Sequence, residues 1–153
     1  PDTIRIEITP AVDRAYIKIG KAYIVINSAY RISAKKMQAK LPSRLVEITY
    51  RQPLSMQSLS IGDSVPADIQ VAIFFIESLS KIGLHVASVD IANFYMILLH
   101  SDDGDIIVTS EKSSEAQYEL LKVAIRQLKI SGRKIASIDV RFDKPVIILE
   151  GKN

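Results

Sequence analysis

The chain of 153 residues contains no cysteine, so no disulfide staples it and no thiolate can hold a metal. That absence leaves the compartment open, because it suits a reducing cytosol and is equally allowed in an oxidising space. Long apolar runs are missing too. Val71 to Ile76 is apolar throughout, but Glu77 and Lys81 interrupt it well before the roughly 18 residues needed to span a membrane. Glycine is scarce, with six residues scattered along the chain, and no GxSxG, P-loop or GxGxxG pattern exists to cradle a phosphate or present a nucleophile. The two histidines, His85 and His100, have no metal-ligand spacing, and HExxH is absent. No metal, cofactor or small-molecule substrate is therefore expected. Charge of one sign is lacking as well: 20 basic and 17 acidic residues are interspersed, and no basic cluster is longer than a pair such as Lys35-Lys36. Nucleic acid is not an expected partner.

What is present is ordinary globular composition, 48% apolar and 24% charged. A chain of this length buries roughly 70% of its unfolded surface, enough for one domain, 1–153, with an unstapled core. It opens on Pro1 with neither a methionine nor a signal peptide. A start on proline inside a strand-like pattern is expected of a trimmed fragment, with any anchor lying upstream.

Periodicity supplies the elements. Thr3 to Ile8 alternates with Ile4, Ile6 and Ile8 on one face, a half-buried strand. Ala15 to Ile19 and Ala22 to Ile26 flank Gly20-Lys21, which suits a type II′ hairpin. Ser33 to Leu41 is expected to make two helical turns stopped by Pro42, with Ser33 as cap. Leu45 to Tyr50 alternates again, and Gln52 to Ser64 is a polar surface loop. Ile69 to Ile82 is a helix with a wide apolar face, capped by Ser64, with Pro66 in its first turn and Gly83 as its stop. Val86 to Ile91, Phe94 to His100 and Asp105 to Thr109 follow as strands, the last two joined by Ser101 to Gly104. Glu115 to Lys129 is a second helix, with Ser114 and Gln117 at capping-box spacing and Gly132 beyond its end. Ile135 to Phe142 and Val146 to Leu149 close the chain as a hairpin around Asp143-Lys144-Pro145. The fold class is α+β, a largely antiparallel mixed sheet with two main helices.

Two acidic sets invite a chemical reading. Asp102, Asp103 and Asp105 surround Gly104, but the D-x-D-x-D-G spacing of a calcium loop is absent and a hairpin turn accounts for them. Asp90 and Asp139 each interrupt an apolar strand, and alternation turns both toward the solvated face. Asp139 and Arg141 share that face and can form an exposed salt bridge. A catalytic dyad would require Asp90 and Asp139 to converge in a pocket, so an enzyme is not expected.

Taken together, the motifs resemble the extracytoplasmic β domain of the FtsQ/DivIB family of bacterial cell-division proteins. Pro1 to Ile8 is similar to the family's P-x-T-hydrophobic-x-I-x-V opening. Tyr23-Ile24-Val25-Ile26-Asn27 stands where the family has a Y-x-h-h-D strand followed by glycine, with Asn27 replacing the acid and Tyr30 standing near the glycine. Leu41-Pro42 and Gly62 match the family's LP and a glycine before its first helix. Tyr95 to Thr109 resembles its W/Y-x-h-x-L…G-x-x-h-x-L hairpin, and Ile138 to Phe142 its h-D-L-R-Y/F strand. The resemblance covers nearly the whole chain, carried by order and spacing more than by any one motif. It implies a POTRA module, one transmembrane helix and a short cytoplasmic segment ahead of Pro1. The parent protein would sit in the cytoplasmic membrane at the septum, with this domain outside. It also implies no catalysis, and a partner strand from the FtsB/FtsL (DivIC/FtsL) coiled-coil pair added to the last strand.

Val146-Ile147-Ile148-Leu149 is an apolar run with no guarding charge before Glu150. By itself it reads equally as a free edge or as a central strand, and the resemblance favours the edge. Carried over by motif, Arg141 pairs with a partner acid and Phe142 anchors it, while Val146, Ile147, Ile148 and Leu149 accept the strand. Lys144-Pro145 and Glu150 depart from some members, so pairing is expected to start later along the strand. A rival reading is a different envelope module, a POTRA-like chaperone or secretion adaptor, that also uses strand addition.

Overall fold

A computed structural model describes residues 10–37 and 40–151 of the chain. The strand expected over Thr3 to Ile8 lies outside them. Nine strands and two long helices are described: β1 (Asp13–Ile19), β2 (Ala22–Asn27), β3 (Ile32–Met37), β4 (Val46–Tyr50), α1 (Ala67–Lys81), β5 (Val86–Asn93), β6 (Met96–Ser101), β7 (Gly104–Val108), α2 (Ser114–Ser131), β8 (Ile135–Asp139) and β9 (Val146–Leu149). The strands form one sheet in the order β3-β2-β1-β4-β5-β6-β7-β8-β9. Pairing is antiparallel except where β4 meets β1 and β5, and where β8 meets β7. This is the expected α+β class, a mixed and largely antiparallel sheet. Among the described residues no helix is long and apolar enough to cross a membrane.

Both helices cover the same face of the sheet. Alternation sends Ile17, Ile24, Ile48, Val89, Ile91, Ile97, Leu99, Ile106 and Ile138 to that face, where α1 and α2 bury them. On α1, Ile69, Ile73, Phe75 and Leu79 have no exposed surface, and each such side chain stabilises by about 1.5–3 kcal/mol. On α2 the face is Leu121, Ala124, Ile125 and Leu128, as its 3.6-residue period implies. The helices meet where the Phe74 and Tyr118 rings pack edge to face at 6.2 Å and the Tyr118 hydroxyl donates to the Ser78 carbonyl at 3.0 Å. The buried Gln117 fixes the start of α2. Its Oε1 accepts from Thr109 N–H at 2.9 Å and its Nε2 donates to the Thr109 carbonyl at 2.8 Å.

Several local expectations need correction. Ser33 to Leu41 does not begin a helix: Ile32–Met37 is β3, paired with β2 through Ile26↔Ile32, Val25↔Ala34 and Ala22↔Met37. Two helical turns bury little, whereas the same residues satisfy an entire row of β2 backbone groups. Pro66, rather than Ser64, occupies the N-cap of α1, without a side-chain cap. Ser113 caps α2, one residue before the expected Ser114, and accepts from Ala116 N–H at 3.2 Å. Phe94 and Tyr95 are not the start of a strand but the turn between β5 and β6. Tyr30, standing near the position where the FtsQ/DivIB pattern has glycine, adopts φ 59°.

The opposite face of β1 to β4 carries a small second cluster of Tyr16, Tyr23 and Val25 with Ala34, Leu41 and Leu45. Here the Tyr16 hydroxyl donates to Glu47 at 2.8 Å, and Lys18 reaches the same carboxylate at 2.7 Å. Burial and the Glu47 carboxylate push Tyr16 up to about 12. Burial and Asp68 push Tyr50 up to about 12 as well. Both groups thus hold their protons more tightly folded than unfolded, where tyrosine titrates near 10.0. Their contribution to stability is complete below the unfolded value and lost as pH rises through the folded one. Alkaline unfolding should therefore set in between about pH 10 and 12, and Tyr16→Phe should reduce the steepness of that loss. Tyrosinate absorbance checks this: all six tyrosines titrating together at the ordinary value would refute it.

Gly104 opens β7 with φ 118°, and a Cβ there would lie 2.6 Å from the Ile135 carbonyl oxygen at the start of β8. Gly104→Ala therefore costs at least about 2 kcal/mol, combining backbone strain with a backbone clash. Gly132→Ala has positive φ but open space and costs only about 1 kcal/mol. Urea midpoints of the two variants give the comparison, and equal shifts would show that the close approach is unimportant.

Candidate functional site: the β8–β9 edge

β8 lies parallel to β7 and antiparallel to β9, through Asp139↔Val146, Ile138↔Ile147 and Ser137↔Ile148. The Val140 N–H turns to β7 and donates to the Ile107 carbonyl at 3.0 Å. By alternation the backbone groups of Asp139 and Ser137 turn to β9, and so meet Val146 and Ile148. Consistently, the Glu150 N–H donates back to the Lys134 carbonyl at 3.1 Å. The intervening residues, Ile147 and Leu149, aim their N–H and C=O groups away from β8. No described strand lies there, because β9 ends the sheet.

The expected docking residues are split by this geometry. Val146 and Ile148 expose their side chains on the face without helices, at 50% and 58%. Ile147 and Leu149 are half-buried against the core and offer only backbone to the edge. The first strand of the hairpin is shorter than expected, ending at Asp139 rather than Phe142. The reason is local. Asp139 Oδ1 accepts from the Arg141 N–H at 3.0 Å, an Asx-type turn that pulls the chain out of the ladder.

Asp139 also holds the Arg141 side chain. Nε donates to Oδ1 at 3.0 Å and Nη2 to Oδ2 at 2.6 Å, and the two side chains are 13% and 28% exposed. This pair is the one expected from their spacing, but Asp139 is buried rather than solvated. Bonding to Asp139 pushes Arg141 above its ordinary value, so the cation is permanent. Arg141 is thus already neutralised within the chain. Its Nη1 extends to the Tyr95 carbonyl at 3.4 Å, and its guanidinium lies 5.6 Å from the centre of the Phe142 ring.

Phe142 is half-exposed and lines a groove of about 500 Å³ with Tyr95, Thr109, Glu111, Lys112 and Arg141. Lys112 reaches across the hairpin loop to Asp143 at 2.8 Å. The Phe94 and Tyr95 ring centres lie 4.4 Å apart with the planes tilted by 45°, and both residues are half-exposed. Tyr95 belongs to the site and was not among the docking residues expected from the sequence. The signal was present: two adjacent aromatics in an alternating strand cannot both face one core.

The other acidic candidates do not assemble. Register links Asp90↔Leu98↔Ile107↔Asp139 across β5 to β8, so the two carboxylates lie three strand spacings, roughly 14 Å, apart. Asp90 is bound by Arg51, with Nε donating at 2.8 Å and Nη2 to the second oxygen. Hydrogen bonding to Arg51 holds Asp90 below its usual range. His100 Nδ1 pairs with Asp105 at 2.9 Å. Among the described residues no group of His, Cys, Asp or Glu side chains could hold a metal ion.

The site is therefore a sheet edge with an adjoining aromatic groove. No family model matches this chain, and no curated protein matches it.

Asp139→Asn should cost about 1.5–3 kcal/mol, because a nearly enclosed carboxylate loses charged hydrogen bonds to Arg141. Asp90→Asn should cost less, because Arg51 is largely in water. Urea unfolding of both variants tests the ranking, and the reverse order would contradict it.

Proposed function

We propose that this chain is a non-enzymatic scaffold domain that docks an extended segment of a partner protein along the free edge of β9. The reading rests on the contrast between the two ends of the sheet. At β3 the loop 52–64 returns to the edge: Ile32 N–H donates to the Asp63 carbonyl at 2.9 Å, and Gly62 N–H to the Ile32 carbonyl at 2.8 Å. Lys35 points inward there, and its ammonium donates to the Met56 and Leu59 carbonyls, each at 2.6 Å. These are devices that close an edge. β9 has neither a covering loop among the described residues nor a charge within the strand.

A docked strand pairs with Ile147 and Leu149 through backbone and lays alternate side chains beside Val146 and Ile148. Pro145 offers no donor, so pairing begins at Ile147. Where the hairpin turns, Phe142 and Tyr95 supply half-exposed aromatic anchors of the kind that concentrate binding energy. Arg141, bonded to Asp139, serves mainly to hold the Phe142 and Tyr95 walls. Its remaining donors face the groove, where a partner carboxylate would meet them.

The motif resemblance to the FtsQ/DivIB β domain specifies the setting we propose. The partner is a coiled-coil pair of the FtsB/FtsL (DivIC/FtsL) type in the bacterial divisome. The parent protein is held in the cytoplasmic membrane by an upstream helix, and this domain works on the extracytoplasmic side at the septum.

Calorimetric titration with a division coiled-coil peptide tests the reading. Phe142→Ala should weaken binding roughly tenfold, the loss of one anchor. Ile147→Pro should weaken it more, because it removes an outward donor while sparing the ladder to β8. Circular dichroism monitors folding. Wild-type affinity in both folded variants would sink the proposal.

A further inference from the structure

Val146 and Ile148 lie on the open face of the last strand, flanked by Lys144 in the bend before it and Glu150 just after it. All four side chains are exposed. Lys144 and Glu150 form no ion pair among the described residues, whereas other charges nearby, such as Arg141, Asp139, Lys112 and Asp143, are paired. The order is a cation, two apolar side chains, then an anion. Read backwards, it is its own complement.

Antiparallel strands place directly opposed residues on the same face, so opposed positions must share parity along a strand of this kind. A second copy turned by a two-fold axis perpendicular to the sheet at Ile147 meets that condition. Val146 then faces Ile148 of the second copy, and Lys144 faces Glu150, each contact occurring twice. Ile147, whose backbone aims outward, lies on the axis and exchanges both its N–H and its C=O with its symmetry mate. Leu149 meets Pro145, which has no N–H, so one bond is missing at each end. Lys144 precedes proline and is thereby biased to the extended backbone this register needs.

We propose that a second copy of this chain occupies the β9 edge, joining two sheets through antiparallel β9–β9 pairing until a partner strand displaces it. The stretch from Lys144 to Glu150 spans roughly 20–24 Å, a narrow contact below the size of a permanent interface. The association is accordingly weak and concentration-dependent, as a displaceable cover must be. Displacement rests on the docking function proposed above, but the dimer itself does not.

Sedimentation velocity over a concentration series tests the dimer. The chain should shift from monomer toward dimer as concentration rises. Lys144→Glu opposes like charges at both ends and should weaken self-association roughly tenfold, as should Glu150→Lys. The double variant, Lys144→Glu with Glu150→Lys, restores both pairs and should return to within about twofold of the original affinity. Both residues are exposed, so folding is not at stake. A chain that stays monomeric throughout, or a double variant no better than the single ones, would overturn the proposal. Rescue by the double variant together with no binding of a division coiled-coil peptide would retain the dimer and reject the docking function.

Discussion

An open sheet leaves one row of backbone donors and acceptors without a neighbour at each end, and most of what is distinctive here follows from how those rows are treated. Burying such a group unpaired costs more than a made bond returns, so each edge must be covered, solvated or shared. At β3 the covering is internal: the loop 52–64 donates to and accepts from Ile32, and Lys35 fills its carbonyls. At β9 the described chain supplies nothing comparable. Among the described residues the sheet thus runs from one finished edge to one unfinished edge. It also places the unfinished edge beside the half-exposed rings of Tyr95 and Phe142.

The helices make that asymmetry possible. Because α1 and α2 lie on one face, no described helix covers Val146 and Ile148 on the other, and both are left accessible. The clamp of Gln117 on Thr109 and the Asx turn of Arg141 on Asp139 hold the top of the sheet in a defined shape. Arg141 illustrates how position changes role. The motif suggested a residue reaching for a partner, and the geometry shows a guanidinium engaged with Asp139, carrying the ring of Phe142 at its side.

Much of the fold was legible from residue patterns. The alternation in Ala15 to Ile26, the wide apolar face ahead of Gly83 and the stripe Leu121, Ala124, Ile125, Leu128 each correspond to an element within a residue or two of its bounds. The errors share a physical origin. Ser33 to Met37 lacks strong alternation, and only pairing with β2 makes it part of a strand. Phe94-Tyr95 has the propensity of a strand, yet the sheet needs a turn there, so long-range pairing overrode local preference.

By itself, the sequence determined which side chains are apolar, their period, and hence the strands, helices and buried face. It also determined that Val146 to Leu149 carries no charge, since that is a matter of composition alone. Only the tertiary structure decided that this apolar stretch is the last strand of the sheet. Composition cannot distinguish a strand with neighbours on both sides from one with a neighbour on one side. That difference is set by the order in which distant strands pair, a property of the whole chain. The same assembly turned Val146 and Ile148 outward, aimed the backbone of Ile147 and Leu149 away from β8, and committed Arg141 to Asp139.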